Sequence, residues 1–166
     1  MLNEYEVLDR IAELATKFGC ELKKVEDIDS KLISPFSGFM GLDWDNGIIY
    51  YDIRGMKYEG NKYFCVGLIH ELAHAVACEK KPQASSEYDF LGWEIIAADK
   101  VGISREDWID GNGDYGVGSG GDSMHEMKQD DPEELDSILD ERVKYALDNH
   151  LLSRAEGGGY NLLMVR

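Results

Sequence analysis

Apolar side chains recur at three- and four-residue steps in four stretches of the chain, and this spacing predicts four helices. Each stretch stops before a residue that does not continue a helix, namely Gly19, Pro82 or Gly102, or before a run of three glycines. The third helix opens with a capping-box sequence that begins at Ser86. The four stretches are residues 3–18, 63–78, 86–101 and 132 to about 153.

Between the first two helices the pattern changes to β-prone runs on either side of Asn46-Gly47. An Asn-Gly step flanked by such runs is a strong hairpin signal, so residues 32–53 are predicted to form a small antiparallel sheet. Residues 54–61 read as a polar connection. Residues 110–123 contain six glycines and no apolar period, and are predicted to be a flexible loop. The apolar residues 162–165 fit either a short docked strand or a tail.

The chain has 166 residues, enough to bury its own core, and no second apolar core follows the glycine-rich loop. We therefore expect one domain over residues 1–166. Its expected fold class is α+β: a small antiparallel sheet and two central helices, with further helices at the N- and C-terminal ends.

Charge and cysteine content exclude several classes of protein. With 33 Asp and Glu against 17 Lys and Arg, the formal charge of −16 disfavours direct binding to nucleic acid but suits a basic protein partner. The three cysteines show no disulfide or CxxC pattern, which favours a reducing compartment. The acidic N-terminal residues do not resemble a signal peptide, and no apolar run is long enough for a bilayer. These features predict a cytoplasmic protein without a membrane segment.

The second helix contains the most informative motif, His70-Glu71-Leu72-Ala73-His74, an HExxH sequence. On a helix, residues four apart lie on one face, so the imidazoles of His70 and His74 can converge on one zinc ion. Glu71 lies about 100° around the helix axis and is then placed to act as a general base on a metal-activated water. The motif predicts a Zn²⁺ site with Glu71 as its catalytic residue. The alternative is a buried helix whose histidines merely pair with carboxylates.

A hydrolytic zinc site normally has three protein ligands, so a third is needed besides the two histidines. Glu94 is the best candidate, because it lies within the next apolar helix, where an unpaired carboxylate would be costly to bury. Glu87 in the first turn of that helix remains an alternative, as do His125 and Asp122 beside the glycine-rich loop. Residues 110–114 also match the start of a calcium-binding loop, although Tyr115 and Gly121 occupy positions where that motif needs glycine and glutamate.

Together these residues resemble the gluzincin metallopeptidases, in which HExxH on one helix is followed by a ligand glutamate on the next. The resemblance covers about residues 45–101 and extends to thermolysin-like enzymes and to compact bacterial and phage members such as the ImmA/IrrE-type peptidases. It implies that His70, His74 and Glu94 bind zinc and that Glu71 is the catalytic glutamate. The chain departs from the thermolysin-like pattern at Ala98, where an aspartate is usual, and the acid here is Asp99.

The function expected from the sequence is zinc-dependent hydrolysis of peptide bonds in a peptide or protein substrate. An extended substrate would add to an exposed strand edge, and the hairpin near residues 36–53 is the predicted docking edge. The rival expectation is a non-catalytic interaction or regulatory protein, of phage or mobile-element type, that keeps a peptidase-like fold. The short, acidic chain motivates that rival, whereas an intact Glu71 counts against it.

Overall fold

The computed structural model describes residues 3–25, 34–37, 39–77, 87–114, 116–117 and 121–164, and its fold is α+β. A single turn of 3-10 helix, Glu87–Phe90, precedes the fourth helix. The helices are α1 Glu4–Lys17, α2 Arg54–Glu59, α3 Asn61–Ala77, α4 Leu91–Lys100, α5 Arg105–Gly111, α6 Met124–Asp130 and α7 Pro132–Asp148. The strands are β1 Glu21–Lys24, β2 Ser34–Ser37, β3 Met40–Asp43, β4 Ile48–Tyr51, β5 Leu152–Arg154 and β6 Tyr160–Leu162.

The first four strands form one sheet in the order β1-β4-β3-β2. The hairpin predicted around Asn46-Gly47 is confirmed, because β3 and β4 pair antiparallel and Gly47 adopts a positive φ of 64° in the turn between them. The antiparallel sheet predicted for residues 32–53 is confirmed for the strands described there, since β2 also pairs antiparallel with β3. Strand β1, which was not predicted, joins this sheet in parallel with β4. Strand β1 lies beside β4 because the chain turns at Gly19, with φ of 74°, after the end of α1. The Glu21 N–H then donates to the carbonyl of Gly47 at 2.9 Å.

The helices at the two ends of the chain were predicted, but the C-terminal one ends earlier than expected. Asn3 caps α1 by accepting a hydrogen bond from the Tyr5 N–H. Helix α7 begins at Pro132 as expected but ends at Asp148 rather than near Ser153. The reason is that Leu152–Arg154 form β5, which pairs antiparallel with β6. Of the apolar residues 162–165, Leu162 is the last residue of β6, and the Leu163 N–H donates to the carbonyl of Leu151 at 3.0 Å.

Three short helices were not predicted. Residues 54–59 form α2 rather than a polar connection, and α5 continues to Gly111, so the expected loop begins later than residue 110. Helix α6 follows Ser123, which forms a reciprocal capping box with Glu126. Within the loop region, Val117 is buried and Gly116 forms an isolated bridge to Ser123. Residues 78–86, with the predicted end of the second helix and the capping box at Ser86, lie outside the described residues.

Helix α3 lies at the centre of the core and carries the HExxH residues. It packs against β3 and β4 on one side and against α1, α2, α4 and α5 on the others, so nearly all its side chains from Phe64 onward are buried. The buried apolar side chains of the described residues form one continuous cluster around it. No helix in the described part of the chain is long and apolar enough to cross a membrane.

Candidate functional site

Polar side chains are rare in this core, and three of the four most deeply buried ones lie on α3 and α4, two helices that pack on each other. Glu71, His74 and Glu94 are 1%, 0% and 0% exposed, and the only other polar or charged residue as buried within the described part of the chain is Asp52. Burying a carboxylate or an imidazole without a polar partner is costly, so residues of these types are expected to contact one another or a cation. This concentration marks the α3–α4 contact as the candidate site.

His70 contacts both His74 and Glu94. Its Nε2 lies 2.9 Å from Nε2 of His74, one helical turn further along α3, and the two rings are nearly perpendicular. Its Nδ1 lies 3.3 Å from Oε1 of Glu94 on α4. The structure therefore brings together the three residues predicted as metal ligands. The side chain of His70 is 17% exposed and is the part of this group that reaches solvent.

The contacts among these residues are hydrogen bonds to each other. Glu94 reaches one nitrogen of His70 and His74 reaches the other, so the donor atoms are not directed at a common point. Accordingly, no three His, Cys, Asp or Glu side chains among the described residues are arranged so that they could hold a metal ion. The donor types still suit zinc, which binds imidazole nitrogen and carboxylate oxygen. Moreover, Oε2 of Glu94 is buried and has no hydrogen-bond partner in the described structure.

Two aromatic rings pack against the histidines. Neither was predicted to belong to the site. Phe90, in the turn before α4, lies 4.8 Å from the ring of His74 and 5.8 Å from that of His70. Trp44, at the tip of the β3–β4 hairpin, contacts His74 edge-on with ring centroids 5.7 Å apart. Phe90 was assigned only to the apolar pattern of a helix. Trp44 had no signal in the sequence beyond its place beside the Asn-Gly turn.

The hairpin tip that carries Trp44 is fixed by Asp43. Its carboxylate accepts hydrogen bonds from the Asn46 side chain at 2.8 Å and from the backbone N–H groups of Asp45 and Asn46 at 3.1 and 3.2 Å. These bonds, chiefly the one from the Asn46 side chain, hold the pKa of Asp43 below its usual value. Asp43 is therefore ionised at neutral pH and keeps the turn in one conformation.

The alternative ligands lie in other surroundings. The backbone of Glu87 belongs to the 3-10 turn before α4, and its side chain is outside the described residues. His125 is exposed on α6, which packs against α5 and α7, and its ring lies against Gly113. Asp122 is exposed. On α4, Ala98 is buried in the place of the usual aspartate, whereas Asp99 faces solvent.

The position of Asp110 argues against the calcium-binding loop. This residue lies in helix α5 rather than in a loop, and its carboxylate is bound by Lys128 at 2.7 Å and by Lys62 at 3.4 Å. Hydrogen bonding to Lys128, followed by the other contacts with these lysines, lowers the pKa of Asp110. The two lysines thus occupy the oxygens that a calcium ion would need.

Comparison with known proteins finds no matching family model, no matching curated protein and no matching solved structure. Support for a function therefore comes from the residues at the α3–α4 contact, their burial and their distances.

Proposed function

We propose that the protein is a zinc-dependent peptidase of the gluzincin type, with His70, His74 and Glu94 as metal ligands and Glu71 as general base. The observation that carries the proposal is the buried contact in which His70 lies 2.9 Å from His74 and 3.3 Å from Glu94. Two imidazoles one helical turn apart and a carboxylate from the following helix are the donor set of this type of site. Binding of zinc would replace the hydrogen bonds between these three side chains.

Zinc bound there would lower the pKa of a water molecule toward ~7 and polarise the carbonyl of a peptide bond. Glu71 accepts a proton at its carboxylate as the water oxygen attacks the carbonyl carbon. The same carboxylate then delivers that proton to the amine nitrogen as the C–N bond breaks. The burial of Glu71, which is 1% exposed, supports this role, because a site closed to bulk water keeps the transferred proton among the reacting groups.

The described sheet offers an edge for an extended substrate. Both strands of the β3–β4 hairpin are interior in the described sheet, and β2 and β1 are its outer strands. Within the predicted docking region, residues 36–53, β2 is therefore the strand with an open side in the described sheet, whereas β3 and β4 each have a neighbour on both sides. We assign substrate docking to β2, the outer strand next to β3, which itself packs on α3.

The test combines zinc content with cleavage of a mixed peptide library. Wild-type protein is expected to bind one zinc and to cleave peptides, and Glu71→Gln is expected to keep the zinc and the fold while cleavage falls at least about a hundredfold. Glu13→Gln, at an exposed site on α1, is the matched control and should behave as wild type. Absence of cleavage at full zinc occupancy, or unchanged cleavage by Glu71→Gln, refutes the catalytic role.

The second candidate is the non-catalytic interaction protein. The observation in its favour is that His70, His74 and Glu94 already hydrogen-bond to one another, which reduces the cost of burying them without a cation. Under this function, a partner protein would be captured uncleaved in a fixed ratio, and chelation would not release it. Cleavage of the captured partner, or its loss on chelation, would favour the peptidase instead.

A further inference from the structure

Trp44 differs from the other two tryptophans in its exposure. Trp93 and Trp108 are both completely buried in the core, at 0% exposed, whereas Trp44 is only partly buried. Its ring contacts that of the candidate ligand His74 edge-on, with the ring centroids 5.7 Å apart. The Asp43 turn described above holds it there. Trp44 is thus a rigidly placed aromatic surface beside the reacting groups, open to a neighbouring molecule.

The two residues next to Trp44 in the sequence are both acidic. The residues on either side of it in sequence are Asp43, which the turn keeps ionised, and Asp45, whose side chain is exposed. The whole chain carries a formal charge of −16, so its field draws cations toward it. Tryptophan is the aromatic side chain that attracts a cation most strongly over its face, and arginine also stacks on it through its planar group.

We propose that Trp44 is a specificity-determining residue that contacts the side chain of an arginine or lysine in the peptide substrate, with Asp45 attracting its charge. This inference rests on the proposed peptidase function. A basic residue fits both features at once, because its aliphatic stem covers the indole and its charged end reaches the carboxylate. An apolar residue would use only the indole, and an acidic residue would be repelled.

The kinetic test uses peptides that differ only in carrying arginine, norleucine or glutamate at each position near the cleaved bond. Wild-type protein is expected to cleave the best arginine peptide about tenfold faster, in kcat/KM, than its norleucine counterpart. The ratio should fall to about twofold or less in Trp44→Leu, mainly through KM, and should fall partially in Asp45→Asn. Asp9→Asn, an exposed acid on α1, is the control and should keep the wild-type ratio.

Intrinsic fluorescence gives a reading that does not depend on turnover. Because Trp44 is the tryptophan with access to solvent, a non-cleavable arginine peptide should shift or quench the emission of wild-type protein in a saturable way. The same titration should leave the emission of Trp44→Phe unchanged. If peptides are cleaved but the arginine-to-norleucine ratio is equal in wild type and Trp44→Leu at equal zinc content, the specificity proposal is wrong and the peptidase stands. If nothing is cleaved but the shift is seen, the contact with Trp44 stands and the peptidase is wrong.

Discussion

Gly92 on α4 lies directly against the backbone of Arg142 on α7. A Cβ atom at residue 92 would overlap the carbonyl oxygen of Arg142 and would lie 2.9 Å from the Cα of Val143. The next two residues also tie α4 to its surroundings: Trp93 Nε1 donates to the carbonyl of Leu163 at 3.1 Å, and Glu94 contacts His70. Three consecutive residues of α4 therefore hold the candidate ligand Glu94 in place against α7, the C-terminal segment and α3.

Gly92→Ala is expected to destabilise the protein and to weaken zinc binding. The added methyl group meets backbone atoms that cannot move aside easily, so α4 must separate from α7, at a cost of about 1–3 kcal/mol in the free energy of unfolding. The higher helix propensity of alanine, worth up to ~1 kcal/mol, offsets only part of this. The measurements are urea unfolding and zinc affinity by competition with a chelator.

The control for Gly92→Ala is Gly67→Ala on α3. A Cβ at residue 67 would meet only the end of the Met40 side chain, with Cε and Sδ both at 2.9 Å, and a methionine end can rotate away. Gly67→Ala should therefore be neutral or slightly stabilising. Equal stability of the two variants would show that α4 and α7 can move apart freely.

Glu94→Gln is expected to lower zinc affinity at least about tenfold, because it removes the negative charge from the proposed ligand set while keeping its shape. The amide can still accept a hydrogen bond from His70, so the fold should survive. Zinc competition measures the affinity, and Asp99→Asn, an exposed acid on the same helix, is the control. Full retention of zinc by Glu94→Gln would direct the search for the third ligand to Glu87.

The sequence was sufficient to predict the parts of the structure that depend on local spacing. Helix α3 and the grouping of His70 with His74 follow from the period of the helix, and the β3–β4 turn follows from Asn46-Gly47. Glu94 was predicted to lie inside an apolar helix, where a lone carboxylate needs a partner, and it is buried with its Oε1 3.3 Å from Nδ1 of His70. Its role as a zinc ligand stays a prediction.

The remaining features depend on contacts between distant parts of the chain. Strand β1 has Glu21, Lys23 and Lys24 exposed and only Leu22 partly buried, so no alternating pattern marks it, and its parallel pairing requires α1 to fold back. The contact of Trp44 with His74 joins residues thirty positions apart and has no local signal. Helix α6 is different, because its capping box from Ser123 to Glu126 is a local signal that is visible in the sequence.

Cys65, which is buried on α3, is expected to make the protein less stable at alkaline pH. Burial, followed by the charge of Glu4, raises the pKa of its thiol from 9.0 to about 12. The folded state thus holds this proton more tightly than the unfolded state, so the stabilisation is complete below pH ~9 and is lost as the pH rises from ~9 through ~12. Urea unfolding between pH 8 and 11 should show a smaller decline for Cys65→Ala than for wild type. An identical decline would mean that the thiol ionises normally in the folded protein.

Asp52 should contribute stability that disappears in acid. This residue is 2% exposed at the end of β4, and its carboxylate accepts hydrogen bonds from Nε of Arg54 at 2.9 and 3.0 Å and from the Arg54 backbone N–H at 3.0 Å. The side-chain bond to Arg54, the largest cause, lowers the pKa of Asp52 below 3.8. Because the folded state favours the ionised form, the stabilisation is present above pH ~3.8 and is lost as the pH falls through the lowered pKa.

Arg54→Leu is the variant that tests this contact. It leaves the buried carboxylate of Asp52 without its guanidinium partner, at an expected cost of about 1–3 kcal/mol at pH 7. Arg54→Lys should recover only part of the loss, because an ammonium group cannot reproduce the paired geometry of guanidinium and carboxylate. The deficit of Arg54→Leu relative to wild type should shrink below pH ~4, where protonation of Asp52 removes the charge that needs a partner. A deficit that is constant from pH 7 to pH 3 would show that Arg54 stabilises this turn through packing of its side chain and not through the charge of Asp52.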